Sequence, residues 1–304
     1  MHRRLVLAIA AALALPALAP AHAADPMPVT ASFSILADLA RQVGGDRVAV
    51  TTLVGPGGDA HVYQPTPADA KALAASKVLV VNGLGFEGWM TRLQKSSGFK
   101  GLVVTASAGI KAQQMDEEEH GHGHGKKVND PHAWQSLANG RIYVANIRDG
   151  LVKADPEGKA AYEANAGRLL AQIDALEPEV RAAIQKIPAA RRKLVTSHDA
   201  FGYFATAYGL DFLAPAGVST ESEASAADVA KIIRQVKADR IPAVFVETIT
   251  DKRLLEQVAR ESGARIGGAL YSDSLSAPGG PAATYLDMFR HNVRTLAEAL
   301  APAS

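Results

Sequence analysis

The chain has 304 residues, of which 48% are hydrophobic and 21% charged, and it contains no cysteine. Its 32 basic and 31 acidic side chains nearly balance, so overall charge favours neither nucleic acid nor an anionic membrane as a partner. The lack of cysteine excludes disulfides, zinc fingers with thiolate ligands, thiol catalysis and a lipid-modified N-terminal cysteine. The length allows one large domain or two of about 150 residues, each with its own core.

Residues 1–23 are predicted to be a cleaved export signal. Arg3 and Arg4 precede an apolar run at 5–15, and Ala21 and Ala23 are small residues at the positions that a signal peptidase reads. The apolar run is shorter than the roughly 20 residues needed to span a bilayer, which argues against a membrane anchor. We therefore expect cleavage after Ala23 and a Gram-negative periplasmic protein that is not membrane-anchored.

Residues 24–154 are predicted to form an N-terminal α/β lobe. β-rich runs alternate with amphipathic helical runs, the strands at 29–34, 47–54 and 78–82 and the helices at 35–43 and 67–75. The third of these strands is an uninterrupted apolar run, which is typical of a parallel sheet that helices cover on both faces.

A helical segment at 155–188 is predicted to link this lobe to a second one. Asp155 and Pro156 form a favourable helix start, and apolar residues then recur every three or four positions. Pro178 lies inside this pattern. Because proline cannot donate the backbone hydrogen bond of a helix, we expect Pro178 to kink or split this one.

Residues 189–304 are predicted to form a C-terminal α/β lobe with the same alternation. Its predicted strands lie at 193–197, 210–214, 243–247 and 265–270, and its predicted helices at 201–208, 226–237, 251–262 and 282–300. The predicted fold is therefore α/β, with two lobes that each contain a parallel sheet flanked by helices, joined by a long linking helix. Ligands of such sheets bind at the carboxyl ends of the strands, so we expect the site in the cleft between the lobes.

A low-complexity tract at 116–127 interrupts the first lobe. His120, His122 and His124 alternate with glycines after a run of acidic residues. This polar, glycine-rich composition predicts a mobile loop. Its histidines and carboxylates are suited to weak metal capture, and the alternative is an insertion without a function.

Three further histidines lie in predicted loops. His61 follows the strand at 47–54, His132 follows the His-rich tract, and His198 lies where the strand at 193–197 meets the next helix. Each of them taken singly is more often structural than a ligand, but loops that face one cleft can bring them into a shared site. His291 lies inside the last predicted helix, where a surface or core role is expected.

Four segments resemble the metal-binding solute receptors of ABC importers, the zinc/manganese or cluster A-I family. They read DAHVYQPTP at 59–67, DPHAW at 130–134, SHDAFGYF at 197–204 and LYSDSL at 270–275, in the family's order. The resemblance implies a single metal ion held between the two lobes by His61, His132, His198 and Asp273. Ala60 stands where the family usually has proline, a difference that leaves the ligand set unaffected.

The donor types and the resemblance favour Zn²⁺ as the transported ion. Three imidazoles and one carboxylate suit tetrahedral zinc, whereas manganese prefers more oxygen ligands. The family's manganese receptors typically have glutamate at the position of His198, but some members with three histidines and one aspartate handle both metals. Mn²⁺, alone or together with zinc, is therefore the alternative. The resemblance also implies a monomer with an ABC permease as its transient partner, and it allows loading by a periplasmic zinc metallochaperone.

A secreted zinc hydrolase is the competing hypothesis from another class, because three histidines with one open position can activate water. Asp273 would close that position. Glu247, at the end of a predicted strand, is the best candidate for a general base, although a structural role suits it better. The sequence has no His-Glu-x-x-His, Gly-x-Ser-x-Gly or phosphate-loop motif, and no tether or repeats of a surface adhesin. It therefore predicts a receptor and not an enzyme.

Overall fold

The computed structural model describes residues 25–117, 126–221 and 224–302, and the first of its two main sheets lies in the N-terminal half. The strands of this sheet are β1 (Met27–Phe33), β2 (Val48–Val54), β3 (Val78–Val81) and β4 (Leu102–Thr105), and its helices are α1 (Ser34–Gly44), α2 (Pro67–Ala75) and α3 (Met90–Ser97). The strands are all parallel, in the order β2-β1-β3-β4. The predicted signal peptide lies outside the described residues.

A hairpin and two helices connect the halves of the chain. The hairpin pairs β5 (Gln114–Glu117) with β6 (Lys126–Asn129) in antiparallel orientation, and the helices are α4 (Leu137–Ala154) and α5 (Lys159–Gln185). The prediction of a mobile loop over 116–127 is therefore wrong at its two ends, which are paired as strands. His120, His122 and His124 lie outside the described residues.

A second parallel sheet organises the C-terminal half. Its strands are β7 (Lys193–Val195), β8 (Asp211–Leu213), β9 (Ala243–Glu247) and β10 (Arg265–Leu270), and its helices are α6 (Gly202–Tyr208), α7 (Ala226–Asp239), α8 (Arg253–Ser262) and α9 (Tyr285–Leu300). The strand order is β10-β9-β7-β8. The predicted α/β class, with two parallel sheets flanked by helices and a long helix between them, is confirmed.

The long helix α5 is continuous through Pro178, so of the predicted kink or split, the split is wrong. Proline removes one backbone hydrogen bond, the one to the carbonyl of Asp174. Both residues are exposed, so water can satisfy that carbonyl and the loss is tolerated. The apolar face of the helix is buried throughout, and α5 packs against α1, α4 and α9.

The sequence did not predict α4, because two glycines lower its helix propensity. Both glycines allow close packing. A Cβ atom at Gly140 would lie 2.5 Å from the Tyr285 hydroxyl, and one at Gly150 would lie 2.3 Å from a methyl group of Val104. Glycine thus lets α4 approach both the first sheet and α9, and tertiary packing outweighs local propensity.

The main hydrophobic core runs through both halves of the molecule. It includes residues of β1, α1, α4, α5, β10 and α9, while a second, smaller core lies among β7, α7, β9 and α8. Along the part of the chain that the structure describes, no helix is both long and apolar enough to cross a bilayer.

Candidate metal centre

Four side chains meet in the cleft between the two sheets, all of them from loops that follow strands or the hairpin. His61 follows β2, His132 follows β6, His198 follows β7 and Asp273 follows β10. Their exposed fractions are 6%, 0%, 1% and 0%. Parallel strands bring their carboxyl ends to one edge of a sheet, so three members of the cluster come from such edges, and the hairpin supplies His132.

The potential donor atoms of these side chains lie about as close together as the ligands of one metal ion. The Nε2 atom of His61 lies 3.2 Å from Nε2 of His132 and 3.1 Å from Oδ2 of Asp273. The Nε2 atom of His198 lies 3.1 Å from the same oxygen, and Asp273 Oδ1 lies 3.6 Å from His132 Nε2. A tetrahedral ion with bonds of about 2.0–2.2 Å separates its ligands by roughly 3.3–3.6 Å. The Asp273 Oδ1 atom is buried without a hydrogen-bond partner, and a bound ion would satisfy it.

A second carboxylate orients His132. Asp130 Oδ1 lies 2.8 Å from the Nδ1 atom of this ring and accepts a hydrogen bond of 2.9 Å from its backbone N–H. An acceptor at Nδ1 keeps the proton there and leaves Nε2 free for a metal. Local sequence patterns alone do not predict this role for Asp130. Its position two residues before His132 was the available signal.

Glu247 has the corresponding role beside His198. Its Oε1 atom accepts hydrogen bonds of 2.7 and 2.9 Å from the backbone N–H groups of Ser197 and His198. Its Oε2 atom lies 2.8 Å from His198 Nδ1, an ion-pair contact without the alignment of a linear hydrogen bond. Glu247 therefore contacts the Nδ1 side of the His198 ring and does not face the cluster as a free general base.

His61 is positioned by aromatic rings and backbone contacts. The ring of Phe86 meets it edge to face, with centroids 4.6 Å apart. Trp89 Nε1 donates a hydrogen bond of 2.7 Å to the carbonyl of Ala60, and the backbone N–H of His61 donates one of 2.9 Å to Asp59 Oδ1. The peptide bond between Ala60 and His61 is thus held at both its carbonyl and its N–H.

Buried carboxylates raise the pKa values of two histidines in the cluster. Burial lowers the pKa of His132, but Asp273 and Asp130 outweigh this effect and raise it to about 9. Burial also opposes charge on His198, whereas Glu247 and Asp273 hold its pKa well above the usual value. The metal-free cluster therefore binds protons at neutral pH.

The pKa values of the other two members of the cluster, His61 and Asp273, are lowered. Burial lowers the pKa of His61, and the nearby His132 and His198 add to this effect although Asp273 opposes it. Burial would raise the pKa of Asp273, but the imidazoles of His132 and His198 hold it well below its usual value. This buried negative charge requires a positive partner, and either protons or a divalent cation can supply it.

Residues 29–299 match the family described as ZnuA, the periplasmic component A of a zinc-uptake complex. The chain belongs to this family. ZnuA relatives include the manganese-binding lipoprotein MntA of Halalkalibacterium halodurans, which is 36% identical over 272 residues that cover 90% of this chain and 88% of that protein. The manganese ABC transporter substrate-binding lipoprotein PsaA of Streptococcus pneumoniae is 30% identical over 282 residues, covering 91% and 89%.

A solved structure shares the fold of the chain. The periplasmic zinc binding protein TroA from Treponema pallidum superposes with a TM-score of 0.84 at 32% identity, covering 91% of this chain and 100% of that one. Members of the ZnuA family are metal-binding receptors of ABC importers that act outside the cytoplasm together with a membrane permease. Receptors of this kind are not enzymes, and the hydrolase hypothesis is therefore set aside.

One histidine of the described chain lies apart from the cluster. His291 is on α9, as predicted, and its Nε2 atom lies 3.0 Å from the carbonyl oxygen of Ala269. It joins the last helix to β10. Among the described residues, only His61, His132, His198 and Asp273 form a group of three or more potential ligands.

Proposed function

We propose that the protein binds one Zn²⁺ ion outside the cytoplasm and delivers it to a cognate ABC permease. The observation that supports zinc most directly is the donor set, in which three imidazole nitrogens and one carboxylate lie within 4.8 Å of one another. Such a set is typical of four-coordinate zinc. The proposed ligands are His61, His132, His198 and Asp273.

Manganese is the second candidate, and the orientation of Asp273 favours it. Its Oδ2 atom lies near two imidazoles and its Oδ1 atom lies 3.6 Å from a third. With both oxygens on one ion the site would supply three nitrogens and two oxygens, which is closer to the oxygen-rich sets that manganese prefers. The relatives named for manganese and zinc have similar identities to this chain, so similarity does not separate the two metals.

Cellular uptake distinguishes these two metals better than affinity does. The Irving–Williams order makes zinc bind more tightly than manganese at most sites of this type, whichever is transported. In cells that lack the gene, we expect uptake of radiolabelled zinc to fall and uptake of manganese to stay unchanged. The wild-type chain should restore zinc uptake, and a His198→Ala variant should not. A selective loss of manganese uptake would show that manganese, and not zinc, is the transported ion.

Metal binding is expected to release protons. His132 has a pKa of about 9 and that of His198 is well above its usual value, so both rings are protonated near pH 7.5 and must lose a proton to bind metal. Apparent affinity should therefore rise with pH until these groups are neutral, and it should weaken as the pH falls. Calorimetric titration in buffers of different ionisation enthalpy should find about two protons released per zinc ion at pH 7.5. Histidines with ordinary pKa values would release almost none.

The carboxylate behind His198 is expected to strengthen metal binding without contacting the ion. Glu247→Gln keeps the shape of the side chain but removes its charge beside Nδ1, and we expect zinc affinity to fall about 10–100-fold. Glu256→Gln is a suitable control, because Glu256 lies on α8 in an ion pair with Lys252. Competition with a chromophoric chelator measures both variants. Equal zinc affinities of the Glu247→Gln and Glu256→Gln variants would show that Glu247 does not influence metal binding by His198.

The proposed location is the periplasm, without a lipid anchor. The relatives MntA and PsaA are named lipoproteins, whereas this chain has no cysteine to carry a thioether-linked lipid. Osmotic shock should release the protein with the soluble periplasmic fraction, and N-terminal sequencing should find Ala24 first. Retention in the membrane fraction would contradict this proposal.

A weaker capture role is proposed for His120, His122 and His124. Three imidazoles joined to a segment that ends close to His132 would raise the local zinc concentration near the cluster, through effective concentration and not affinity. They could receive the ion from a periplasmic metallochaperone or directly from solution. Glu117 and Lys126 are paired opposite each other in the hairpin, so Asn-Gly can replace residues 118–125 as a two-residue turn.

This replacement separates capture from tight binding. We expect the shortened protein to lose a weaker second zinc equivalent, to keep its tight one and to load more slowly from a competing chelator. The capture role would be contradicted if the tight zinc equivalent were lost. It would also be contradicted if both the stoichiometry and the loading rate stayed unchanged.

A further inference from the structure

A cavity of about 540 Å³ lies beside the cluster of three histidines and Asp273. His198, which is 1% exposed, lines this cavity together with Asp251 and Gln257, which are exposed residues of the C-terminal half. The cavity therefore connects one of the proposed ligands to the solvent. An ion that reaches or leaves the cluster on the side of His198 would pass through it.

Part of the wall of this cavity is formed by residues 214–221, the segment that follows β8, which we call the strap. Ala216 and Thr220 of the strap line the cavity. The carbonyl of Gly217 accepts a hydrogen bond of 3.1 Å from the backbone N–H of Asp199, next to His198. The strap is thus attached beside a ligand of the C-terminal half.

The strap also reaches the N-terminal half through one side chain. Thr220 Oγ1 donates a hydrogen bond of 2.6 Å to Asp59 Oδ2. The other carboxylate oxygen of Asp59 accepts the bond of 2.9 Å from the backbone N–H of His61. A single carboxylate therefore joins the contact between the two halves to the turn that carries a proposed ligand.

Release of a metal ion requires movement, because the four proposed ligands are almost fully buried. Two other contacts between the halves near the cluster are buried: Trp134 Nε1 and Gln135 Nε2 both donate to the carbonyl of Ser272, at 2.9 and 2.6 Å. The contact of Thr220 is a single, partly buried side-chain bond beside an open cavity. Contacts of this kind open at lower cost than buried ones do.

We propose that the hydrogen bond between Thr220 and Asp59 is a latch that limits the rate at which metal leaves the cluster through this cavity. The inference rests on the metal-binding function proposed above. It adds a residue that controls the rate of exchange without binding the ion.

The test measures zinc release from the loaded protein into excess chelator by stopped-flow absorbance. Thr220→Val keeps the shape of the side chain and removes the hydroxyl, so release should become about tenfold faster, the change expected when one hydrogen bond to a charged group is lost. Thr220→Ser retains the hydroxyl and should release zinc within about twofold of the wild-type rate. The melting temperature of each metal-free variant shows that its fold is intact.

Thr206→Val is the matched control. The hydroxyl of Thr206, on α6, accepts a hydrogen bond of 3.2 Å from Gln113 Nε2, so it also joins the two halves, but it does not line the cavity. Its loss should leave the release rate within about twofold of wild type. The latch is overturned if Thr220→Val releases zinc at the wild-type rate, or if Thr206→Val or Thr220→Ser accelerates release equally. A wild-type protein that retains no zinc overturns the proposed function itself, and the latch with it.

Discussion

Replacing His198 with alanine is expected to lower zinc affinity by about 100-fold to 1,000-fold. Structural zinc sites bind with about 10–16 kcal/mol, so one of four ligands contributes roughly 3 kcal/mol. The substitution also leaves Glu247, which is 2% exposed, without the imidazole beside its Oε2 atom, and an uncompensated buried charge adds to the loss. Calorimetry on chelator-stripped protein, with a competing ligand to bring the wild type into range, measures the difference.

His291→Ala is the matched control for this experiment. It removes an imidazole from the same half of the chain, but this ring contacts the carbonyl of Ala269 and lies outside the cluster. Its zinc affinity should be unchanged, while His61→Ala, His132→Ala and Asp273→Ala should resemble His198→Ala. Wild-type affinity in the His198→Ala protein would show that the tight site lies elsewhere.

Much of the fold could be predicted from the sequence because its strands are short apolar runs. The run at 78–82 contains the whole of β3, and α2 has the predicted bounds of 67 and 75. The predictions that failed depend on surroundings that a local pattern does not contain. Gly140 and Gly150 lower the helix propensity of α4, and the close packing that they allow with other elements cannot be read from the local sequence. Pro178 is tolerated within α5 because it is exposed to solvent.

The candidate site was less accessible to such reasoning. The four side chains of the cluster come from four different loops, at residues 61, 132, 198 and 273. They lie close together only because of how the two sheets face each other. Local patterns do not specify that arrangement, so the set rested on resemblance to a family. The supporting contacts of Asp130 and Glu247, and the bond from Thr220 to Asp59, become visible only from interatomic distances.

Trp134→Ala is expected to lower the free energy of unfolding of the metal-free protein by about 3–5 kcal/mol. The side chain is 0% exposed, and its ring lies 4.8 to 5.2 Å, between centroids, from those of Phe33, Phe86 and His132. Alanine would leave a cavity among these rings. It would also remove the bond of 2.9 Å from Nε1 to the carbonyl of Ser272, the residue before a proposed ligand. Zinc affinity should therefore fall as well, although no ligand is changed. Denaturant titration measures the stability.

Trp134→Phe separates the two contributions. Phenylalanine retains most of the ring packing but cannot donate to Ser272, so the cost should be smaller, about 1–2 kcal/mol for the lost hydrogen bond and the small gap. The carbonyl of Ser272 still accepts a bond of 2.6 Å from Gln135 Nε2, which limits the loss. Equal stabilities of the alanine and phenylalanine variants would mean that the hydrogen bond, and not the packing, supplies the effect of Trp134. A wild-type stability in the alanine variant would contradict the central position of this side chain in the contact between the two halves.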